Sequence, residues 1–320
     1  MFDCHYDLLT YIYMNRFDVE KIKRHCREIY HKLNITGGIF NLFFMSYQEM
    51  KEELGIEEKE VNLISMLLTV DKLIQKYKLI PETTQYVYGI EGLDYLEKIE
   101  DIEVLKRLGV RSINPVWNNE NCFGGGIRSE IGLTSLGEEL IDVLVEEKIA
   151  IDLSHSNEKT FMDIIQRCKR LKSRGKEPVI LASHSNCRAV CDVNRNLTDR
   201  QIKEIVDLDG LIGLVGYKRF CIDVEDKEIQ NKKYHFEQAY IENIKHMKKL
   251  IGNIEHVAVA TDDMSYYKIQ KEFYQNSNVY PLKEVGARLR KKLEEEKFSQ
   301  EEIEKLLNLN VKEKLLNKIG

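Results

Sequence analysis

Proline is scarce in this chain, with four residues in 320. That rules out proline-rich linkers, and no low-complexity run, internal repeat or break in composition divides the sequence. Length alone would allow two units of ~150 residues, but α/β barrels use 200–250 or more as one, so residues 1–320 are read as one domain. No apolar run reaches the ~18 residues that a membrane span requires. The start, "MFDCHYDLL", has neither the basic opening nor the long apolar stretch of a secretory signal. An excess of positive charge is also missing. There are 48 basic against 53 acidic residues, for a net charge of -5. That argues against a nucleic-acid partner, because phosphate binding needs a basic surface. The seven cysteines (Cys4, Cys26, Cys122, Cys168, Cys187, Cys191 and Cys221) form no Cys-x-x-Cys pair. An odd, scattered set of this kind reads as reduced thiols in a cytoplasmic protein. No Gly-x-Gly-x-x-Gly follows a first strand, which weighs against a dinucleotide fold. The glycine-rich "CFGGGIRSE" follows a fourth strand, lacks a P-loop lysine, and is expected to be a mobile loop.

Short apolar runs rich in β-branched residues are present, and they alternate with longer amphipathic stretches. The candidate strands are "MFDCH", "ITGGIFNLFFM", "QYVYGIE", "VRSINPVWN", "IAIDLSH", "PVILASH", "GLIGLVGY" and "HVAVATDD". Between them lie helical patterns such as "EKEVNLISMLLTVDKLIQKY", "SLGEELIDVLVEE" and "NEKTFMDIIQRCKRL". Thr134 or Ser135 can start one helix and Thr198 another. The run "KKLEEEKFSQEEIEKLL" near the end reads as a solvated helix face. Near-continuous apolar strands alternating with helices indicate a parallel sheet covered on both faces. Eight such units predict a closed (β/α)8 TIM barrel of the metal-dependent hydrolase type, with additional C-terminal helices.

The strand ends carry the chemistry. The first ends in His5 and Asp7, the third in Glu91, the fifth in His155, the sixth in His184 and the eighth in Asp262 and Asp263. In a parallel barrel all carboxyl ends share one rim, where barrel active sites are built. Imidazole and carboxylate together suit zinc and its neighbours, and these residues suffice for two ions. Residues two apart on a strand face one side, so His5 and Asp7 can chelate one ion together. Glu91 has two oxygens and can bridge a pair, and His155 and His184 can complete the second site. Two ions ~3.5–4 Å apart share a water and polarise a carbonyl, so the implied class is metal-assisted hydrolysis. Strand alternation favours Asp262 over Asp263 as the inward residue. Asp152 and Ser154 flank a ligand strand as partners of the ligands or as packing residues. His25, His31, His235, His246 and His256 sit in helical or pre-strand contexts and read as structural.

The segments "DCHYD", "YGIEG", "WNNENCFGGG", "GLTSLGEELIDVL", "IDLSHSN", "VILASHSNCRAVCDVNRNLTD" and "VAVATDD" make the chain resemble the membrane dipeptidase (renal dipeptidase) family, as a soluble member of bacterial type. They occur in the family's order and cover nearly the whole chain. The resemblance implies a binuclear zinc dipeptidase on a (β/α)8 barrel, and a homodimer. It makes His5 and Asp7 ligands of one zinc, Glu91 the bridging carboxylate, and His155 with His184 the ligands of the second. Arg195 matches the arginine that grips the substrate's free carboxylate, as a guanidinium fork does well. Asp262 matches the aspartate that handles the substrate amino end and proton transfer. Trp117 stands where family members place a substrate-contacting histidine, so Asn118 or the metals would serve at the oxyanion. The stretch "ATDDMSYY" also departs from the family's Gly-Asp-Phe-Asp-Gly, and the lipid anchoring of the animal enzymes has no counterpart here.

The expected reaction is attack of a metal-bridging hydroxide on the peptide carbonyl of a dipeptide, with Asp262 passing a proton to the leaving amine. One rival is a metal-dependent amidohydrolase acting on N-acyl amino acids, cyclic amides or lactones. Another is a catalytically silent binding protein on the same scaffold.

Overall fold

Apolar runs flanked by amphipathic helices bury both faces of a sheet, and such strands pair in parallel. The structure, a computed structural model, describes residues 1–32, 35–43, 51, 62–221, 236–263 and 282–320. Eight strands follow in order: β1 (Phe2–Tyr6), β2 (Gly37–Phe43), β3 (Gln85–Glu91), β4 (Val110–Asn114), β5 (Ala150–Asp152), β6 (Ile180–Ala182), β7 (Leu211–Val215) and β8 (Val257–Ala260). Each pairs in parallel with the next. The chain after β8 returns to β1, where the Asp262 amide donates to the His5 carbonyl at 2.9 Å. Thr261 N also donates to Asp3 Oδ1, at 2.9 Å. The result is a (β/α)8 barrel, as the eight alternating units predict.

The helices start where the sequence offers caps. Thr134 Oγ1 accepts from Gly137 N at the head of helix Ser135–Glu146. Thr198 and Gln201 form a reciprocal capping box before helix Asp199–Asp207. Asn157 caps helix Glu158–Ser173, which buries Phe161, Ile164, Ile165 and Cys168. Each such apolar side chain contributes about 1.5–3 kcal/mol when fully buried.

Inside the barrel, at the amino-terminal ends of the strands, Phe2, Cys4, Ile39, Leu181, Leu211 and Ala258 pack into one apolar cluster. Val311 and Leu315 of the C-terminal segment belong to the same cluster, so this segment seals the base. Asn310 Nδ2 fastens it by donating to the carbonyls of Ile254 and Val257 at 2.6 and 2.7 Å. In β1 the register shifts between Asp3 and Tyr6. A bulge of this kind re-aims side chains. Phe2 and Cys4 join the interior cluster, whereas the Tyr6 hydroxyl meets His25 Nε2 at 2.6 Å on the helix side.

Several strands are shorter than their apolar runs. β4 stops at Asn114 because Pro115 has no N–H for the ladder. β5 and β6 stop at Asp152 and Ala182, so His155 and His184 lie just past the strand ends, on the turns over the rim. The ends of "ITGGIFNLFFM" and "ATDDMSYY" and the start of "EKEVNLISMLLTVDKLIQKY" lie outside the described residues, as does His235. The glycine-rich segment does not behave as a mobile loop. Gly126 N bonds Asn119 O, Gly125 N bonds Thr160 Oγ1, and Gly126 bridges to Ser156. Its glycines are needed for close packing: a Cβ on Gly126 would sit 1.8 Å from the Trp117 carbonyl oxygen.

A candidate metal centre at the barrel rim

The residues singled out at the strand ends come together at the carboxyl rim. Glu91 lies at their centre. Its Oε2 is 3.0 Å from His5 Nε2, and its Oε1 is 2.7 Å from His155 Nε2 and 3.5 Å from His184 Nε2. On the far side of His5, its Nε2 is 3.7 Å from Asp7 Oδ1 and 4.0 Å from Asp262 Oδ1. His5, Asp7, Glu91 and His184 are almost wholly buried, and the Asp262 side chain is 16 % exposed. Within three groups, donor atoms lie within 4.8 Å of one another: His5–Asp7–Asp262, Glu91–His155–His184 and His5–Asp152–His184.

Hydrogen bonds fix which imidazole nitrogen faces inward. His155 Nδ1 donates to Asn118 Oδ1 at 2.8 Å, because an amide oxygen can only accept. His155 Nε2 therefore points a lone pair at the centre, and it sits 2.9 Å from His184 Nε2. Two neutral ring nitrogens that close, each with its other nitrogen engaged elsewhere, suit a shared cation better than each other. Nitrogen and carboxylate donors of this kind fit a divalent ion such as zinc.

Protonation follows from burial and charge. Burial and the nearby Arg195 push His155 down to about 4. Burial, then the charge of His5, push His184 well below its usual range. Both imidazoles are thus neutral, the state in which they bind metals. Burial alone would raise the Glu91 carboxyl, but His5, then His155 and His184, hold it well below the carboxylate range. Burial opposes the charge on His5, yet Glu91 and Asp7 raise its pKa well above the ordinary value. Asp262 is driven well upward, first by burial and then by Glu91 and Asp7 against the pull of His5.

His155 and Asp262 adopt left-handed backbone conformations, with φ of 71° and 49°. This costs roughly 1–3 kcal/mol per residue and is held by surrounding structure. Arg195 is buried nearby. Its Nη1 donates to Ser185 Oγ at 2.9 Å, while Nε and Nη2 are buried without a hydrogen-bond partner among the described residues. Trp117 packs on Phe43 with ring centroids 5.0 Å apart and stands 6.0 Å from His155. Gly92 allows this placement: at φ +84° it has no Cβ, which would come 3.2 Å from Trp117 Cβ.

Sequence reasoning left out three participants. Ser183 Oγ lies 2.9 Å from His5 Nδ1 and 2.8 Å from His184 Nδ1. Ser185 holds Arg195. Asp3, whose carboxyl burial raises to about 7 against its bonds to Thr261 and His5, braces β1 against β8. A serine beside a ligand histidine was the available signal for Ser183. Asp152 and Ser154 do act as braces: Asp152 Oδ1 accepts from the amides of Ser154 and Ser183 at 3.0 and 2.9 Å. The histidines read as structural have local partners where described: His25 with Tyr6, His246 with Asp199, His256 with Gly210 O.

Fold and rim together define a parallel barrel whose carboxylates and imidazoles lie close enough to hold a metal ion. The chain belongs to the membrane dipeptidase family (peptidase family M19), whose model matches residues 1–315. An uncharacterized protein in the PQQ-III 3' region of Acinetobacter calcoaceticus is 36% identical over 140 residues, 40% of this chain and 41% of that protein. The chain thus aligns with less than half the length of this curated relative. Two solved structures share the fold along the whole chain. One is a metallo peptidase from Rhodobacter sphaeroides liganded with a phosphinate mimic of the dipeptide L-Ala-D-Ala, at 19% identity and TM-score 0.76 over 100% of this chain and 99% of that one. The other is a metallo peptidase described as dipeptidase AC, at 20% identity and TM-score 0.74 over 100% and 98%. Among the described residues no helix is long and apolar enough to cross a membrane.

Proposed function

We propose that the protein is a binuclear zinc dipeptidase that hydrolyses dipeptides with a free carboxyl terminus. The observation that carries this reading is Glu91, whose two oxygens face His5 at 3.0 Å and His155 at 2.7 Å. One carboxylate between two imidazole groups is what a bridging ligand requires. His5 and Asp7 would hold one ion with Glu91, and His155 and His184 would hold the other. The chemistry such ions would supply is a water whose pKa is lowered toward ~7 and a polarised scissile carbonyl.

The remaining work belongs to the chain. Arg195 has two buried donor nitrogens, Nε and Nη2, with no partner among the described residues, and an unmet buried donor of this kind costs about 1–3 kcal/mol. A substrate carboxylate satisfies both at once and sets the substrate length at two residues. Asp262, whose carboxyl burial beside Glu91 and Asp7 pushes well above the usual carboxylate range, takes the proton released by the attacking water and gives it to the amine nitrogen as the C–N bond breaks, while the water oxygen ends on the carbonyl carbon. Asn118 has its carbonyl on His155 and keeps only its NH2 group for substrate. Trp117, backed by Phe43, offers an apolar wall. The dipeptide mimic held by the Rhodobacter sphaeroides protein accords with this substrate class. The enzyme is placed in the cytoplasm, where its seven free thiols stay reduced. Residues 1–320 form one barrel domain with C-terminal helices, and two copies assemble as a homodimer, the state the resemblance implies.

The test is a substrate panel with the purified, zinc-supplied protein: dipeptides, their C-terminal amides, N-acyl amino acids and lactones. Dipeptides should be cleaved and their amides left largely intact. Absence of dipeptide turnover, or a preference for N-acyl amino acids, overturns the reading.

A further inference from the structure

We propose that Ser183 is a shared positioning residue that couples the two halves of the metal centre through a single hydroxyl. The inference rests on the two-cation reading above and adds a role for a side chain that binds neither ion. Ser183 is 1 % exposed, and its Oγ lies 2.9 Å from His5 Nδ1 and 2.8 Å from His184 Nδ1. Those two histidines belong to different halves of the centre, and one lies in β1 while the other follows β6. Their rings also lie against each other, with centroids 3.8 Å apart and planes tilted by 44°.

The chemistry of a hydroxyl decides what this arrangement does. A serine oxygen has two lone pairs and one proton. An imidazole that ligates through Nε2 carries its proton on Nδ1, and a partner for that N–H fixes both tautomer and ring angle. Ser183 Oγ can accept from both Nδ1–H groups at once, which points both Nε2 lone pairs into the centre. His155 is served separately by Asn118 Oδ1, so the structure has one private brace and one shared brace. The shared one is itself held. Ser183 N donates to Asp152 Oδ1 at 2.9 Å, and that same oxygen accepts from Ser154 N. Asp152 thereby locks the turn that carries both Ser183 and His184.

A shared brace and a private brace predict different losses. Removing a partner of a ligand typically weakens metal affinity about 10–100-fold. Zinc stoichiometry and affinity are measured by equilibrium dialysis and metal analysis on wild type, Ser183→Ala, Ser183→Thr and Asn118→Ala, with thermal unfolding of each zinc-free protein as the fold control. Wild type should take two ions. Ser183→Ala should lose affinity about 10–100-fold at both sites with zinc-free unfolding near that of wild type, Asn118→Ala at one site only, and Ser183→Thr should recover both. If Ser183→Ala does not fold, Ser183→Cys carries the same test, because a thiol is a poor acceptor of similar size. Wild type that takes no ion defeats the two-cation reading itself. Wild type that takes two, with Ser183→Ala (or Cys) unchanged or weakened at one site alone, overturns the shared brace and leaves that reading standing.

Discussion

The two ends of the barrel are built on opposite terms. At the base, Phe2, Ile39, Leu181 and Leu211 meet Val311 and Leu315 in a buried apolar plug. At the rim, six ionisable side chains converge within hydrogen-bonding or ion-pairing distance, and two of them sit in left-handed backbone. Left-handed residues occur near the base as well, at Lys148 and Asp209, but there they fall on turns that follow helices. At the rim His155 and Asp262 adopt this conformation where a side chain is being aimed. Roughly 1–3 kcal/mol for each such residue is matched by one or two buried apolar side chains at about 1.5–3 kcal/mol each. The base therefore supplies stability that lets the rim be strained and charged.

That contrast can be broken from either end. The largest effect expected is on turnover: Glu91→Gln should lower kcat/KM about a thousandfold, several kcal/mol of metal-assisted stabilisation at about 1.4 kcal/mol per decade. The circular dichroism of the variant should stay that of wild type, and a loss smaller than tenfold counts against a bridging role. At the base, Leu181→Ala should cost about 2–5 kcal/mol in urea unfolding while the folded protein keeps its zinc stoichiometry. A simultaneous loss of zinc would mean that the two ends are not separable. Next comes Arg195→Lys, which keeps the charge but loses the fork. It should lower kcat/KM by about 1.5–3 kcal/mol, the worth of hydrogen bonds to a charged group, and C-terminally amidated dipeptides should show no comparable drop.

The smallest effect concerns acid. His256, at the start of β8, donates from Nδ1 to Gly210 O at 2.8 Å, and burial lowers its pKa below the ordinary 6.5. The folded state then holds fewer protons on this group than the unfolded chain. Its contribution is intact above 6.5 and is lost as pH falls from there through the lowered value. His256→Gln should flatten the fall in the urea midpoint between pH 8 and pH 5.5 in zinc-free protein, and an unchanged slope would remove His256 from the account.

Much of this contrast is legible in the sequence. Apolar runs mark all eight strands, although several run past the strand itself, and "DCHYD", "YGIEG", "IDLSH" and "ASHSN" put ionisable residues at or just beyond their ends. What runs along the chain can be read there, because periodicity and caps are local. What crosses the barrel cannot. Ser183 looks like any serine until β1 brings His5 beside it, 178 positions away in sequence. The bulge in β1 is equally silent, since the shift between Asp3 and Tyr6 is set by pairing with β2. Nor does glycine content distinguish a loose loop from one whose backbone packs too tightly for a side chain, as Gly125 and Gly126 do.

The hydrogen bond from the Asp262 amide to the His5 carbonyl ties barrel closure to the assembly of the centre. His5, the first of the proposed ligands along the sequence, lies in β1, but its position is fixed only when the eighth strand packs beside it. A growing chain therefore carries all five proposed ligands long before it has a place for a cation. Cleavage before β8 should therefore leave a fragment that keeps all five proposed ligands but cannot gather them, so that a cut touching none of them still dismantles the centre.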